Sequence, residues 1–113
     1  MSNEELKEKI EAWLRSKEKT AVAGFRPSAV RKAVPGATKK EVEEILLSLA
    51  AEGRLNVEWE ITCPECFSLI KTTAKRPERE IEEYCWHCGR EVWLDTFQPV
   101  FYFPGKEARR DAI

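Results

Sequence analysis

Two Cys-x-x-Cys pairs, TCPECF at residues 62–67 and YCWHCG at 84–89, hold all four cysteines of the chain. Cys63 and Cys66 are followed after 18 residues by Cys85 and Cys88, which fits the C-x2-C-x15-20-C-x2-C spacing of zinc sites. Two residues between cysteines let a tight turn aim both sulfurs at one ion. Two such turns meeting from opposite sides complete a tetrahedron of thiolates at roughly 2.3 Å from the metal. Pro64 restricts the first turn, and Gly89 allows the positive φ that closing the second one needs. The expected cofactor is one structural Zn2+ on Cys63, Cys66, Cys85 and Cys88, with His87 outside the shell. A rubredoxin-like iron site uses the same four sulfurs and stays open as an alternative. Haem attachment would need His directly after the second cysteine, where Gly89 stands. A thioredoxin-type dithiol would need one pair opening a helix after a strand, whereas Cys85 follows a charged run and Cys88 precedes glycine.

Four protein ligands leave a metal no open position for water or substrate, so the site offers no Lewis-acid chemistry. The sequence has one histidine, no Gly-rich phosphate loop and no GxSxG. The expectation is a non-enzymatic protein without a small-molecule substrate.

At 113 residues the chain supports one ordinary core, or a small core with a metal-stapled module. Lys and Arg total 19 against 20 Asp and Glu, and neither half forms a basic or acidic tail. The N-terminus, MSNEELKEKIE, lacks an apolar signal region, and no apolar run is long enough for a membrane span. Cysteines kept as metal ligands suit a reducing compartment, so a cytoplasmic location is expected. The 18 Glu, 10 Lys and 9 Arg beside two Asn and one Gln hint at a thermophilic source.

Hydrophobic periodicity orders the rest. Ser2 and Glu5 have capping-box spacing, and Leu6, Ile10, Trp13 and Leu14 form a helical stripe ending near Lys17. Residues 20–25 read as a brief strand or connector. Pro27 and Ser28 open a second helix that Pro35 and Gly36 stop. Thr38 and Glu41 form another capping box before the stripe Val42, Ile45, Leu46, Leu49 and Ala50, which Gly53 ends. Strict alternation over 55–62 predicts a half-buried strand. The aromatic segment 91–103 is β-prone, with Pro99 requiring an edge or a bulge. Residues 105–113 have no apolar pattern and read as a flexible tail or linker.

This order resembles the winged helix-turn-helix family over residues 2–62 and about 92–103. The four cysteines resemble a zinc ribbon, with 67–73 and 80–84 available as its strands. The expected fold is therefore α+β: a winged helix of three helices plus a β-hairpin over 1–62 and 92–104, with the zinc ribbon (63–91) inserted between the last two strands, in the wing. The combination is similar to the N-terminal region of the large subunit of the general transcription factor TFIIE and its archaeal counterpart. There, however, the ribbon follows the winged helix. That resemblance implies a partner class, promoter DNA and the transcription machinery, and no particular residue.

In a winged helix the helix after the tight turn enters the major groove. Here it would begin with Thr38, Lys39 and Lys40, while Arg26, Arg31 and Lys32 lie on or beside the preceding helix. Lys71, Lys75, Arg76 and Arg79 fall toward the ribbon tip. These ten residues are the candidate DNA contacts. Interleaved carboxylates, Glu41, Glu43 and Glu44 on the helix and Glu78, Glu80, Glu82 and Glu83 on the ribbon, are what an ordinary solvated surface also shows. The competing expectation is a protein-interaction adaptor of a larger protein or complex that docks through the winged helix or through those of Trp86, Trp93, Phe97, Phe101 and Tyr102 that are exposed.

Overall fold

The computed structural model of the chain describes residues 2–94, 97–105 and 113. Its elements run α1 (Asn3–Glu18), β1 (Gly24–Phe25), α2 (Pro27–Ala33), α3 (Lys39–Ala51), β2 (Asn56–Thr62), β3 (Leu69–Thr73), β4 (Ile81–Cys85), β5 (Arg90–Leu94) and β6 (Phe97–Tyr102). The fold is α+β, with two antiparallel sheets of strand order β1-β6-β2-β3 and β4-β5. The chain divides into two compact units, residues 1–57 with 100–113 and residues 58–99.

The first unit contains the three helices found among the described residues, and the starts of α1 and α3 follow the capping chemistry. The Ser2 hydroxyl accepts from the Glu5 N–H at 3.2 Å. At α3 the box is complete: the Thr38 hydroxyl accepts from the Glu41 N–H at 3.2 Å, and the Glu41 carboxylate accepts from the Thr38 N–H at 3.0 Å. Those bonds hold the Glu41 carboxyl below its ordinary value, first through the Thr38 N–H. Gly53 takes φ +81° just beyond α3. Its N–H donates to the Ala50 carbonyl, and the Arg54 N–H donates to that of Leu49, the paired bonds of a Schellman stop.

The apolar stripes converge on one core. Leu6, Ile10 and Leu14 of α1 pack with Val30 of α2, Val42, Ile45, Leu46 and Leu49 of α3, and Phe25, Leu55, Phe101 and Phe103. Trp13 meets Phe25 edge-on at 5.1 Å, and Phe25 stacks on Phe101 at 5.8 Å. Gly24 is demanded by this packing: a Cβ there would lie 2.6 Å from Tyr102 Cδ1 and 2.7 Å from the Phe101 carbonyl oxygen. Arg54 donates to Glu11 at 2.6 Å, tying the start of the strand region to α1 and lowering the Glu11 carboxyl.

The brief strand or connector expected over 20–25 is a strand at Gly24–Phe25, which pair with Tyr102 and Phe101 on β6, and the Ala23 carbonyl accepts from the Phe103 N–H at 3.0 Å just beyond. The segment 91–103 is two strands rather than one. β5 pairs with β4, and β6 lies between β1 and β2. Of the tail, 106–112 lie outside the described residues. Ile113 is hydrogen-bonded on both sides, its N–H donating to Gly24 O at 3.0 Å and its carbonyl accepting from Arg26 N–H at 2.7 Å.

The second unit is built from two hairpins. β2 pairs with β3 in the register Trp59↔Thr73, Glu60↔Thr72 and Ile61↔Lys71, with a bulge before Thr62↔Leu69. β4 pairs with β5 from Ile81↔Leu94 to Cys85↔Arg90. The two strands expected between the cysteine pairs are present but lie in different sheets. Each Cys-x-x-Cys turn reverses the chain locally, so each strand pairs across its own turn. A small core of Ile61, Val92, Leu94, Cys63 and Cys85 fills this unit. Of the four tryptophans, Trp13 belongs to the first unit and Trp59, Trp86 and Trp93 to the second. No helix among the described residues is long and apolar enough to cross a membrane.

Candidate metal centre

The two cysteine turns are built alike. In the first, the Phe67 N–H donates to the Cys63 carbonyl at 2.9 Å; in the second, the Gly89 N–H donates to the Cys85 carbonyl at 2.8 Å. The residue closing each turn has positive φ, +62° at Phe67 and +75° at Gly89. Glycine at the second position matches the reading of its role. Phe67 holds the same conformation with a side chain, which ordinarily costs about 1–2 kcal/mol. The Cys63 N–H donates to Ser68 O at 2.9 Å, closing the base of the first hairpin turn, and the Glu65 N–H points at Cys63 Sγ at 3.4 Å.

These turns bring the four Sγ atoms within 4.8 Å of one another. Cys63 and Cys88 are 3.8 Å apart at sulfur, and Cys66 and Cys85 are 3.6 Å apart. A tetrahedron with metal–sulfur bonds of roughly 2.3 Å has an edge of roughly 3.8 Å, so these spacings suit a single ion. They are far from the roughly 2.05 Å of a disulfide. The four cysteines can therefore hold a metal ion, with Cys63 and Cys85 buried and Cys66 and Cys88 partly so. His87, between two of them, is exposed and not one of the cluster.

The thiols are unequal. Hydrogen bonds from Ser68 bring Cys66 down to about 6. Desolvation pushes Cys88 up to about 12, with the neighbouring sulfurs adding to it. Four thiolates this close repel one another unless a cation sits among them, and a bound divalent ion would make all four ligands anionic.

The candidate DNA contacts divide between the units. Arg31 and Lys32 end α2, and Thr38, Lys39 and Lys40 begin α3; all five are exposed. Lys39 lies 3.9 Å from Glu43, whereas Arg31, Lys32 and Lys40 have no carboxylate within 4.0 Å among the described residues. Arg26 is half-buried and gives its backbone N–H to Ile113. In the second unit, Lys71 is bound to Glu83 at 2.7 Å, and the Arg76 guanidinium covers Trp59 and Phe97 at 5.8 and 5.6 Å. Lys75 and Arg79 are exposed.

The aromatic candidates also sort by burial. Phe101 and Tyr102 are core, and Phe97 is half-buried, whereas Trp86 is 90% and Trp93 58% exposed. Sequence reasoning missed Phe67, 79% exposed, and Tyr84, which meets Trp86 edge-on at 4.9 Å. The signal for Phe67 was its place, equivalent to Gly89, directly after a Cys-x-x-Cys pair. Comparison with models of known families, curated proteins and solved structures finds no match to the chain.

Proposed function

We propose that the chain is a non-enzymatic module in which a structural zinc stabilises the second unit and a winged helix-turn-helix, formed by the first, binds duplex DNA as a transcription accessory. Supporting the winged helix are the order α1-β1-α2-α3-β2, with β6 returning between β1 and β2. Supporting zinc is the near-tetrahedral spacing of four sulfurs, the donor set of closed structural sites. Four protein ligands saturate such an ion, which argues against catalysis there.

The observation that carries the DNA reading is the corner between α2 and α3. Arg31, Lys32, Lys39 and Lys40 all open to solvent around one short connection, and three of them have no carboxylate partner among the described residues. By sequence the first unit holds 14 Lys and Arg against 11 Asp and Glu. If these four cations meet phosphates, binding to a mixed duplex should weaken with salt at a log-log slope of roughly −3 to −4. Replacing Lys39 and Lys40 together with Glu should abolish binding and leave the melt intact, because acidic residues suit a helix N-terminus. Absence of salt-dependent binding at low ionic strength sinks the DNA reading.

A second reading, a protein-docking adaptor, is favoured by a separate observation on the second unit. Trp86, Trp93 and Phe67 are large apolar side chains left in solvent.

A further inference from the structure

The β4-β5 hairpin has two chemically different faces. Register places Glu82 opposite Trp93 and Tyr84 opposite Glu91. All four are exposed, whereas Val92, Leu94 and Cys85 are buried. The open face thus alternates aromatic and carboxylate across the strands. Glu82 and Glu91 have no cation within 4.0 Å among the described residues. Glu82, Tyr84 and Glu91 also line a shallow groove of about 250 Å3. Tyr84 and Trp86 also line a second, more apolar hollow of about 470 Å3, together with Leu69 and Ile70.

By sequence the second unit carries 9 Asp and Glu against 5 Lys and Arg. Four thiolates around one divalent ion would add a charge of about −2. Phosphate backbones are repelled by such a face, although bases could stack on its rings. A cation with an aliphatic stem gains from both features: its stem covers ring and its charge meets carboxylate. The unit already shows this chemistry internally, where the Arg76 guanidinium lies over Trp59 and Phe97.

We infer that the outer face of the β4-β5 hairpin, with the Tyr84–Trp86 corner, is a docking site for a Lys/Arg-bearing segment of a partner protein. Its occupant inserts cationic side chains between Tyr84, Trp93 and the carboxylates of Glu82 and Glu91. This inference rests on the protein-docking reading and is independent of DNA binding at α2 and α3, which lie in the other unit.

The test titrates the metal-loaded full chain with three twelve-residue peptides, alternating Lys-Ala, Glu-Ala and Ser-Ala, and with twelve-nucleotide oligothymidine, following tryptophan emission. The Lys-Ala peptide should bind, with affinity falling as salt rises. Trp93→Ala should weaken it roughly two- to fivefold. Glu82→Lys with Glu91→Lys should weaken it about tenfold or more, while metal content and melting stay as in the parent protein. Stronger binding of Glu-Ala or Ser-Ala would overturn the charge assignment while leaving protein docking in place. Preference for oligothymidine would overturn the partner class. Lys-Ala binding indifferent to all three substitutions would place the site elsewhere, and binding of no peptide at millimolar concentration would overturn the inference together with the docking reading.

Discussion

The two units solve the same problem with different means. The first buries thirteen apolar residues in one cluster drawn from three helices and the strands beside them. The second has five buried residues in its cluster, and two of those are cysteines. Burial of an apolar side chain supplies about 1.5–3 kcal/mol, so the larger cluster can order its chain unaided, whereas the smaller is short of what two hairpins need. What the second unit lacks in core, four converging sulfurs can supply with a metal. A Cys-x-x-Cys turn therefore does in the second unit what an amphipathic stripe does in the first.

That contrast is most exposed to Cys85→Ser or to a strong chelator. Apparent structural-zinc energies in small fingers run to about 10–16 kcal/mol, so either should abolish metal retention and unfold residues 58–99. Amide NMR should still show the dispersed signals of the helical unit. Collapse of both sets of signals would mean that the first core is not self-sufficient. In the opposite direction, Leu46→Ala empties a fully buried site in the first unit and should cost about 2–5 kcal/mol by urea denaturation, with metal affinity unchanged. Gly24→Ala forces a methyl against the Phe101 carbonyl and the Tyr102 ring, and should cost about 1–3 kcal/mol. A neutral result there would show that β1 can shift away from β6.

The same contrast shows how far the sequence could be read. The helices of the first unit were legible from local signals: α3 carries a start, a stripe and a stop in Thr38, Val42 to Leu49 and Gly53, α1 a capping serine and a stripe, and α2 an opening and a closing proline. The ligand set was legible because spacing alone assigns it. Less legible was the pairing of strands in the second unit. Residues 67–73 and 80–84 have no alternation strong enough to fix a face, and their partners follow from which turn each strand abuts. Residues 91–103 read as one run because the chain stays apolar and aromatic through the change of sheet. Division of charge was hidden as well: a cut at residue 62 balances both halves, whereas the observed boundary leaves the helical unit basic and the hairpins acidic.

Two finer predictions sharpen the comparison. Phe67→Gly relieves a positive φ held by a side chain that lies mostly in solvent, and should stabilise the metal-bound second unit by about 0.5–1 kcal/mol after the added chain entropy of glycine. It should be seen as slower metal loss to a chelator. Faster loss would give the exposed ring a packing role. The smallest effect concerns pH. The carboxyls of Glu11 and Glu41 are both held below the ordinary 4.5, Glu11 chiefly by the hydrogen bond from Arg54 and Glu41 by the Thr38 N–H. Their contribution to stability is therefore present above 4.5 and lost as pH falls through the lower folded values. The urea midpoint of the parent should fall more steeply below about pH 4.5 than that of Glu11→Gln with Glu41→Gln. Parallel curves would remove these two groups from the acid response.

The placement of tryptophans and helices also gives the molecule two separate optical reporters. Three of four indoles belong to the hairpin unit and, among the described residues, every helix to the other. Ellipticity at helical wavelengths consequently follows one unit, while emission is dominated by its neighbour in the chain. A thermal scan recorded both ways needs no label to tell whether the units unfold together: superimposed transitions mean one cooperative molecule, and separated ones mean two.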